Sequence, residues 1–217
     1  NQLLVRSDRP DQAMLVSLAG LITTMMLLVR EISALFELIK CAEMKLVYRS
    51  LTPTVRNAKQ AQAMGVDVIV ATGDDAGGVL PGHHTGTFTI VPAIADAVTI
   101  PVLAAGGIND LRGVRAAFSL GAEGVYVGTR FIATDECAAN AKTKGLICRL
   151  SGANLLYVDE TLRSLPTEFA AEAYVKHRLQ PTVPTAVDTV AAMRTGMYDG
   201  DPDQGIVSVN TGIDVIH

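Results

Sequence analysis

Four short apolar runs, each followed by a segment of helical period, constrain most strongly what this chain can fold into. They begin near residues 46, 67, 101 and 124, at intervals of 21, 34 and 23 residues. Intervals of this size fit parallel strands joined by crossover helices. The runs are almost continuously apolar, as strands covered on both faces are. Hydrophobic residues make up 49% of the chain and charged ones 18%, below the roughly 25% of an average soluble domain. That balance excludes a disordered chain.

The punctuation between the runs has a physical reading. After the run at 45–48, Thr52 is placed to cap a helix with Pro53 at its first position, and Gly65 stops it. Residues 66–71 then read as a strand, 88–98 as a helix with Val91, Ile94 and Val98 at helical spacing, and 100–105 as a strand ending in Gly106-Gly107. Asn109 or Asp110 caps the next helix, Gly121 closes it, and residues 124–128 form the last strand of the series. Several βα units with glycines after the strands predict an α/β fold, either a TIM (β/α)8-type barrel or a doubly wound sheet. Both bind ligands at the carboxyl ends of their strands.

Length argues that such a barrel is incomplete in this chain. A closed eight-stranded barrel takes about 250 residues, whereas the series ends at Gly128. At roughly 27 residues per unit this is five units. Residues 3–6 and 15–19 both look like strands, yet are too close together for a crossover helix. Part of a barrel is therefore expected to be missing, before Asn1 or within the first 45 residues. Residues 1–137 are assigned to the barrel and 138–217, with Pro181, Pro184 and Pro202, to a small helical appendage or lid.

Charge and cysteine usage narrow the partners. The net charge is −4, with no Lys/Arg cluster, so nucleic acid has no electrostatic footprint to bind. Cys41, Cys137 and Cys148 are odd in number and widely spaced, which fits neither a disulfide framework nor a zinc site and suggests a reducing, cytoplasmic setting. Residues 13–29 carry no charge, at the lower edge of spanning length. Ser17, Gly20, Thr23 and Thr24 within them, and the absence of a basic region before them, favour a buried strand and helix over a membrane span or signal peptide.

Three Gly-rich strand ends are the candidate site: Ala76-Gly77-Gly78, Gly106-Gly107 and Gly128-Thr129. Glycine there lets bare N–H groups approach an anion, and in barrels a phosphate site forms from the loops after the last two strands. One such turn alone is explained by tight βα geometry; two in succession at the right interval favour a phosphate-bearing ligand. Asp74-Asp75 is read as capping or solvent-facing rather than as a metal pair, and no metal site is predicted. Cys137 is read as a surface thiol.

These residues carry a resemblance. Residues 65–73, Ala76-Gly77-Gly78 followed by a His, residues 90–92, 100–108 and 120–131 together resemble the C-terminal half of the nitronate monooxygenase family, which includes flavin-dependent enoyl-acyl-carrier-protein reductases. The close match covers about a third of the chain. It implies an FMN-binding TIM barrel, with Gly106, Gly107, Gly128 and Thr129 at the FMN phosphate and Ala76, Gly77 and Gly78 against the flavin. It further implies a small-molecule substrate such as a nitronate, with the substrate or NAD(P)H as electron donor. The family pattern has a His directly after Ala-Gly-Gly; here Val79-Leu80-Pro81-Gly82 intervenes before His83 and His84. His84 keeps the His-x-Gly register and is the candidate proton-transfer group, expected to face the flavin with His83 turned away. An enoyl-thioester reductase on the same scaffold, a non-redox phosphate-binding barrel and an inactive fragment are the alternatives. Whether the protein is a homo-oligomer stays open.

Overall fold

The computed structural model describes residues 2–5, 44–179 and 188–217. The expected strand at 15–19 and the uncharged run at 13–29 lie outside them. Among the described residues no helix is long and apolar enough to cross a membrane.

Five strands form one sheet. They are β1 (Gln2–Val5), β2 (Val47–Arg49), β3 (Val68–Thr72), β4 (Val102–Ala105) and β5 (Gly124–Val127), in the spatial order β1-β5-β4-β3-β2. Strands β2 to β5 are successive and parallel. Helices α1 (Val55–Ala63), α2 (Thr87–Ala95) and α3 (Leu111–Ser119) join them, as the interval arithmetic predicts. The fold is α/β, a parallel sheet built from alternating β and α units. Strand β1 departs from that series. It starts one residue before the expected 3–6 and pairs antiparallel with β5, Gln2 opposite Val127. An antiparallel neighbour needs no crossover helix between the paired strands.

Local signals set the helix ends, with two shifts. The first helix is capped by Thr54, not Thr52: the Thr54 side chain accepts from the Asn57 N–H at 3.1 Å, which leaves Pro53 outside the helix. Helix α2 ends at Ala95 rather than Val98, on an Asp96 cap. Asp110 caps α3 by accepting from the Arg112 and Gly113 N–H groups. The Arg112 side chain, then the Gly113 N–H, holds the Asp110 carboxyl below its ordinary value. Gly65 and Gly121 follow their helices at φ 82° and 90°, the left-handed region that favours glycine.

Strand alternation decides which side chains reach the site. Ile69, Ala71, Val102, Ala104 and Val125 point to the face covered by α1 to α3, against Ala58, Val91, Ile94 and Ala117. Their neighbours Val47, Val68, Val70, Leu103, Ala105 and Tyr126 pack on the opposite face. Period two continues that second face to Arg49 and Thr72 at the carboxyl ends of β2 and β3.

Residues after 128 are not wholly helical. Helices α4 (Thr129–Ile132), α5 (Ala141–Arg149), α6 (Glu168–Leu179) and α7 (Thr189–Arg194) are joined by an antiparallel hairpin, β6 (Leu156–Asp159) with β7 (Leu162–Ser164). Leu156 and Val158 alternate with polar residues along β6, the period-two signal that the helical reading passed over. The final segment buries Val207, Val209, Ile213 and Ile216 with Ile147 and Leu165.

Candidate functional site

A cavity of about 720 Å³ opens at the carboxyl ends of the parallel strands, within the size range of small-molecule and cofactor pockets. Ala76, Gly77, Gly78, Gly106, Gly128 and Thr129 line it, so three separate strand-end loops meet there. Gly107 does not line it, and neither histidine does. Arg49, Thr72, Ala105 and Tyr126 from the second sheet face form another wall.

The glycines fall into two groups. A Cβ on Gly78 or Gly128 would meet nothing within 4 Å; both positions face open cavity. A Cβ on Gly77 would lie 2.6 Å from the Val209 carbonyl carbon, and one on Gly106 would lie 2.6 Å from Thr87 Oγ1. Gly106 and Gly107 also have φ of 111° and 70°. These three, and Gly78 at φ 78°, are required by backbone geometry or close packing whatever the ligand; only Gly128 is free of both constraints. The Gly106 and Gly107 N–H groups have no acceptor among the described residues.

The C-terminal segment ties the loops together. Ser208 Oγ accepts from the Gly78 N–H at 2.9 Å, and the Asn210 N–H donates to Thr129 Oγ1 at 3.0 Å. Asn109 and Asn210 exchange side-chain amide hydrogen bonds, both 2.8 Å and both buried. Thr211 donates through its N–H to the Asp75 carbonyl at 3.1 Å. Ser208 and Asn210 line the cavity themselves. Strand-end reasoning missed these residues, because each acts on a loop more than 80 positions away.

Charge enters the cavity wall at two residues, Arg49 and Glu136. Arg49 donates through Nε to Thr72 Oγ1 at 3.2 Å. Burial pushes its guanidinium below the ordinary value, opposed by the nearby Tyr126 hydroxyl. Its own backbone N–H, then the Thr134 hydroxyl, holds the Glu136 carboxyl low. Cys137, expected at the surface, is half-buried in the cavity lining.

The histidine loop takes another course. His84 Nδ1 sits 3.2 Å from Asp74 Oδ1, its side chain 56% exposed, and its backbone is left-handed at φ 45°. The four inserted residues have anchors of their own. Leu80 is buried and its N–H donates to the Thr161 carbonyl, while the Gly82 N–H reaches the Leu51 carbonyl. They lead the histidine pair away from the cavity wall. Asp75 does cap: its carboxylate accepts from the Thr87 N–H at 2.8 Å.

The nitronate monooxygenase family model matches residues 30–217. The chain belongs to that family. A second family model, Stage III sporulation protein AC/AD, matches residues 1–41. A probable nitronate monooxygenase of Staphylococcus haemolyticus is 34% identical over 148 residues, which are 62% of this chain and 41% of that protein. One from Staphylococcus aureus strain JH9 is 41% identical over 115 residues, 49% of this chain and 32% of that protein. The matched part of the chain thus spans about a third to two fifths of the length of these family relatives. FabK from Thermotoga maritima has a similar structure, at TM-score 0.76 and 29% identity over 85% of this chain and 59% of that one. A nitroalkane oxidase from Streptomyces ansochromogenes, at TM-score 0.68 and 24% identity over 85% of this chain and 56% of that one, shares the fold. The resemblance drawn from the strand-end motifs is borne out by the family match.

Proposed function

We propose that this chain is part of an FMN-dependent oxidoreductase of the nitronate monooxygenase type that oxidises a small carbon acid such as a nitronate. The observation that carries this reading is the meeting, in one cavity, of open space over Gly78 and Gly128 with the uncommitted N–H group of Gly106. On this reading residues 1–137 belong to a TIM-type barrel and residues 138–217 form its appendage. A cytoplasmic setting follows from the cysteine argument.

The residues fit FMN. The cavity is large enough, and backbone N–H groups with a side-chain-free approach at Gly128 suit a phosphate. Arg49 supplies a cation at the far wall. Bound FMN would supply the electron transfer; the protein's part is binding, orientation and electrostatics. Gly106, Gly107, Gly128 and Thr129 would hold the phosphate, and Ala76, Gly77 and Gly78 would flank the flavin. Arg49 favours negative charge that collects beside it, and Phe131, Met193 and Met197 exclude water from the apolar wall.

A second reading, an NAD(P)H-dependent enoyl-thioester (enoyl-ACP) reductase, is favoured by the FabK likeness over 85% of the chain. Flavin titration followed by turnover with a nitronate, or with NAD(P)H and an enoyl thioester, separates the two. Gly128→Val should weaken FMN binding on the order of tenfold or more while changing the melting temperature little, because a Cβ there enters the cavity and meets no protein atom within 4 Å. Equal FMN affinity in parent and variant would remove the phosphate assignment. Gly107→Val is a poorer probe, since its Cβ would lie 3.1 Å from the Asp75 Cβ at a positive φ.

A further inference from the structure

Arg163 is a charged residue buried in β7, 5% exposed, outside the cavity and outside every motif considered above. Its guanidinium is spent on the back of the cavity loop. Nη2 donates to the carbonyl oxygens of Asp74 and Ala76, the latter at 2.9 Å. Nη1 donates to the Tyr157 hydroxyl at 3.3 Å and lies 3.7 Å from Asp74 Oδ2. The group stacks over the Tyr157 ring, 5.4 Å from its centre. Nε is buried with no partner among the described residues.

We propose that Arg163 is a positioning residue for the cavity: it fixes the Asp74–Gly78 loop from behind, so that Ala76, Gly77 and Gly78 present a single conformation to the ligand. Three observations converge on it. The carbonyls it holds belong to the loop whose other side lines the cavity. The hairpin carrying it is joined to the same loop by the Leu80 N–H on the Thr161 carbonyl, 2.7 Å, and by the Val79–Leu162 bridge. The Ala76 N–H is meanwhile held on the Gly73 carbonyl at 3.1 Å, so the turn is gripped from both directions. A planar fork can serve two carbonyls and a carboxylate at once, which a lysine ammonium on a flexible stem does poorly. Replacing a buried ion pair as a whole by hydrophobes of similar volume is often neutral for stability, so a buried ionic contact is weak evidence for a purely stabilising role.

The test uses the whole chain with Arg163→Lys and Arg163→Met, the lysine variant serving if the methionine variant fails to fold. Amide exchange is read at Ala76, Gly78 and Leu80, with Ile69–Ala71 in β3 as the internal reference. FMN affinity, the visible circular dichroism of bound flavin and the melting temperature are read in parallel. We expect the three loop amides to exchange on the order of tenfold faster with β3 unchanged. FMN affinity should fall by about the same factor, and the flavin dichroism should change. Unaltered exchange at 76–80 overturns the proposal, as does unaltered FMN affinity where the parent binds FMN. A residue that only held the fold together would lower the melting temperature and leave the flavin signature of the folded protein intact. The affinity arm rests on the FMN reading above. If the parent binds no FMN that reading falls, and the exchange data alone decide whether Arg163 sets the loop.

Discussion

Residues 44–137 and residues 138–217 shape one cavity by different means. The first stretch works through its backbone: parallel strands deliver Ala76, Gly106 and Gly128 to the same end of the sheet, and glycine lets the chain turn there. The second works through side chains: Arg163 and Ser208 bond to the Ala76–Gly78 loop, and the Asn210 amide pairs with that of Asn109, just after Gly106-Gly107. Repeating βα geometry brings the loops to one place, and long-range hydrogen bonds then choose their conformation. Two failure modes follow. Damage to the first region is felt as steric strain in the backbone, and damage to the second as polar groups left unpaired.

Gly106→Ala should have the largest effect. The position combines φ 111° with a Cβ that would stand 2.6 Å from Thr87 Oγ1 and 3.0 Å from the Gly73 carbonyl oxygen. The neighbours cannot retreat easily, since Thr87 Oγ1 itself donates to the Gly106 carbonyl at 3.0 Å. A loss of roughly 2–4 kcal/mol is expected from conformational strain and overpacking together, measured by denaturant unfolding. A variant as stable as the parent would show that the first region does not depend on backbone geometry at this turn.

How much was legible follows from the same division. The strands at 68–72, 102–105 and 124–127, the Asp110 cap and the Gly65 and Gly121 stops were readable because each rests on periodicity or on a cap a few residues away. The Thr54 cap was misplaced by two residues: two threonines flank Pro53, and only the structure shows which reaches Asn57. The antiparallel β1 was unreadable because strand direction is set by a partner, Val125 to Val127, over 120 positions away. Three strand-end glycine motifs were found, and the cavity brings them together. The reason for Gly77 was not foreseen, because the atom that forbids a Cβ there belongs to Val209. The course of the loop that carries the histidines was not legible, since it depends on what Leu80 and Gly82 bond to.

The side-chain stitching of the second region is tested at Asn109 and Asn210. Their paired amides are also joined to Gly212: Asn109 Nδ2 donates to the Gly212 carbonyl at 2.7 Å, and the Gly212 N–H donates to Asn210 Oδ1 at 3.0 Å. Either alanine substitution leaves a buried amide without its partner, so each should cost about 1–3 kcal/mol. The double variant removes both polar groups and should cost less than the sum of the singles, with a coupling of roughly 0.5–3 kcal/mol. Additive losses would mean that the two residues act separately and that the segment is held elsewhere.

The smallest effect is expected at His84, where the backbone-ruled region carries its inserted loop. A non-glycine residue at φ 45° bears a left-handed penalty of about 1 kcal/mol, which glycine avoids. The His84–Asp74 contact is exposed on the histidine side, and a solvated pair of this kind returns little stability. His84→Gly and His84→Ala remove the same ring and the same contact, so they differ only in backbone. The glycine variant should be more stable than the alanine variant by about 1 kcal/mol. Turnover reads the ring itself. If the imidazole transfers a proton, both variants should lose roughly 10²–10⁴-fold to equal extents, with FMN still bound and His83→Ala unaffected. If both variants turn over like the parent, the inserted Val79–Gly82 segment has taken the histidine out of the chemistry. The residue then serves the loop through its backbone, as the glycines of the first region do.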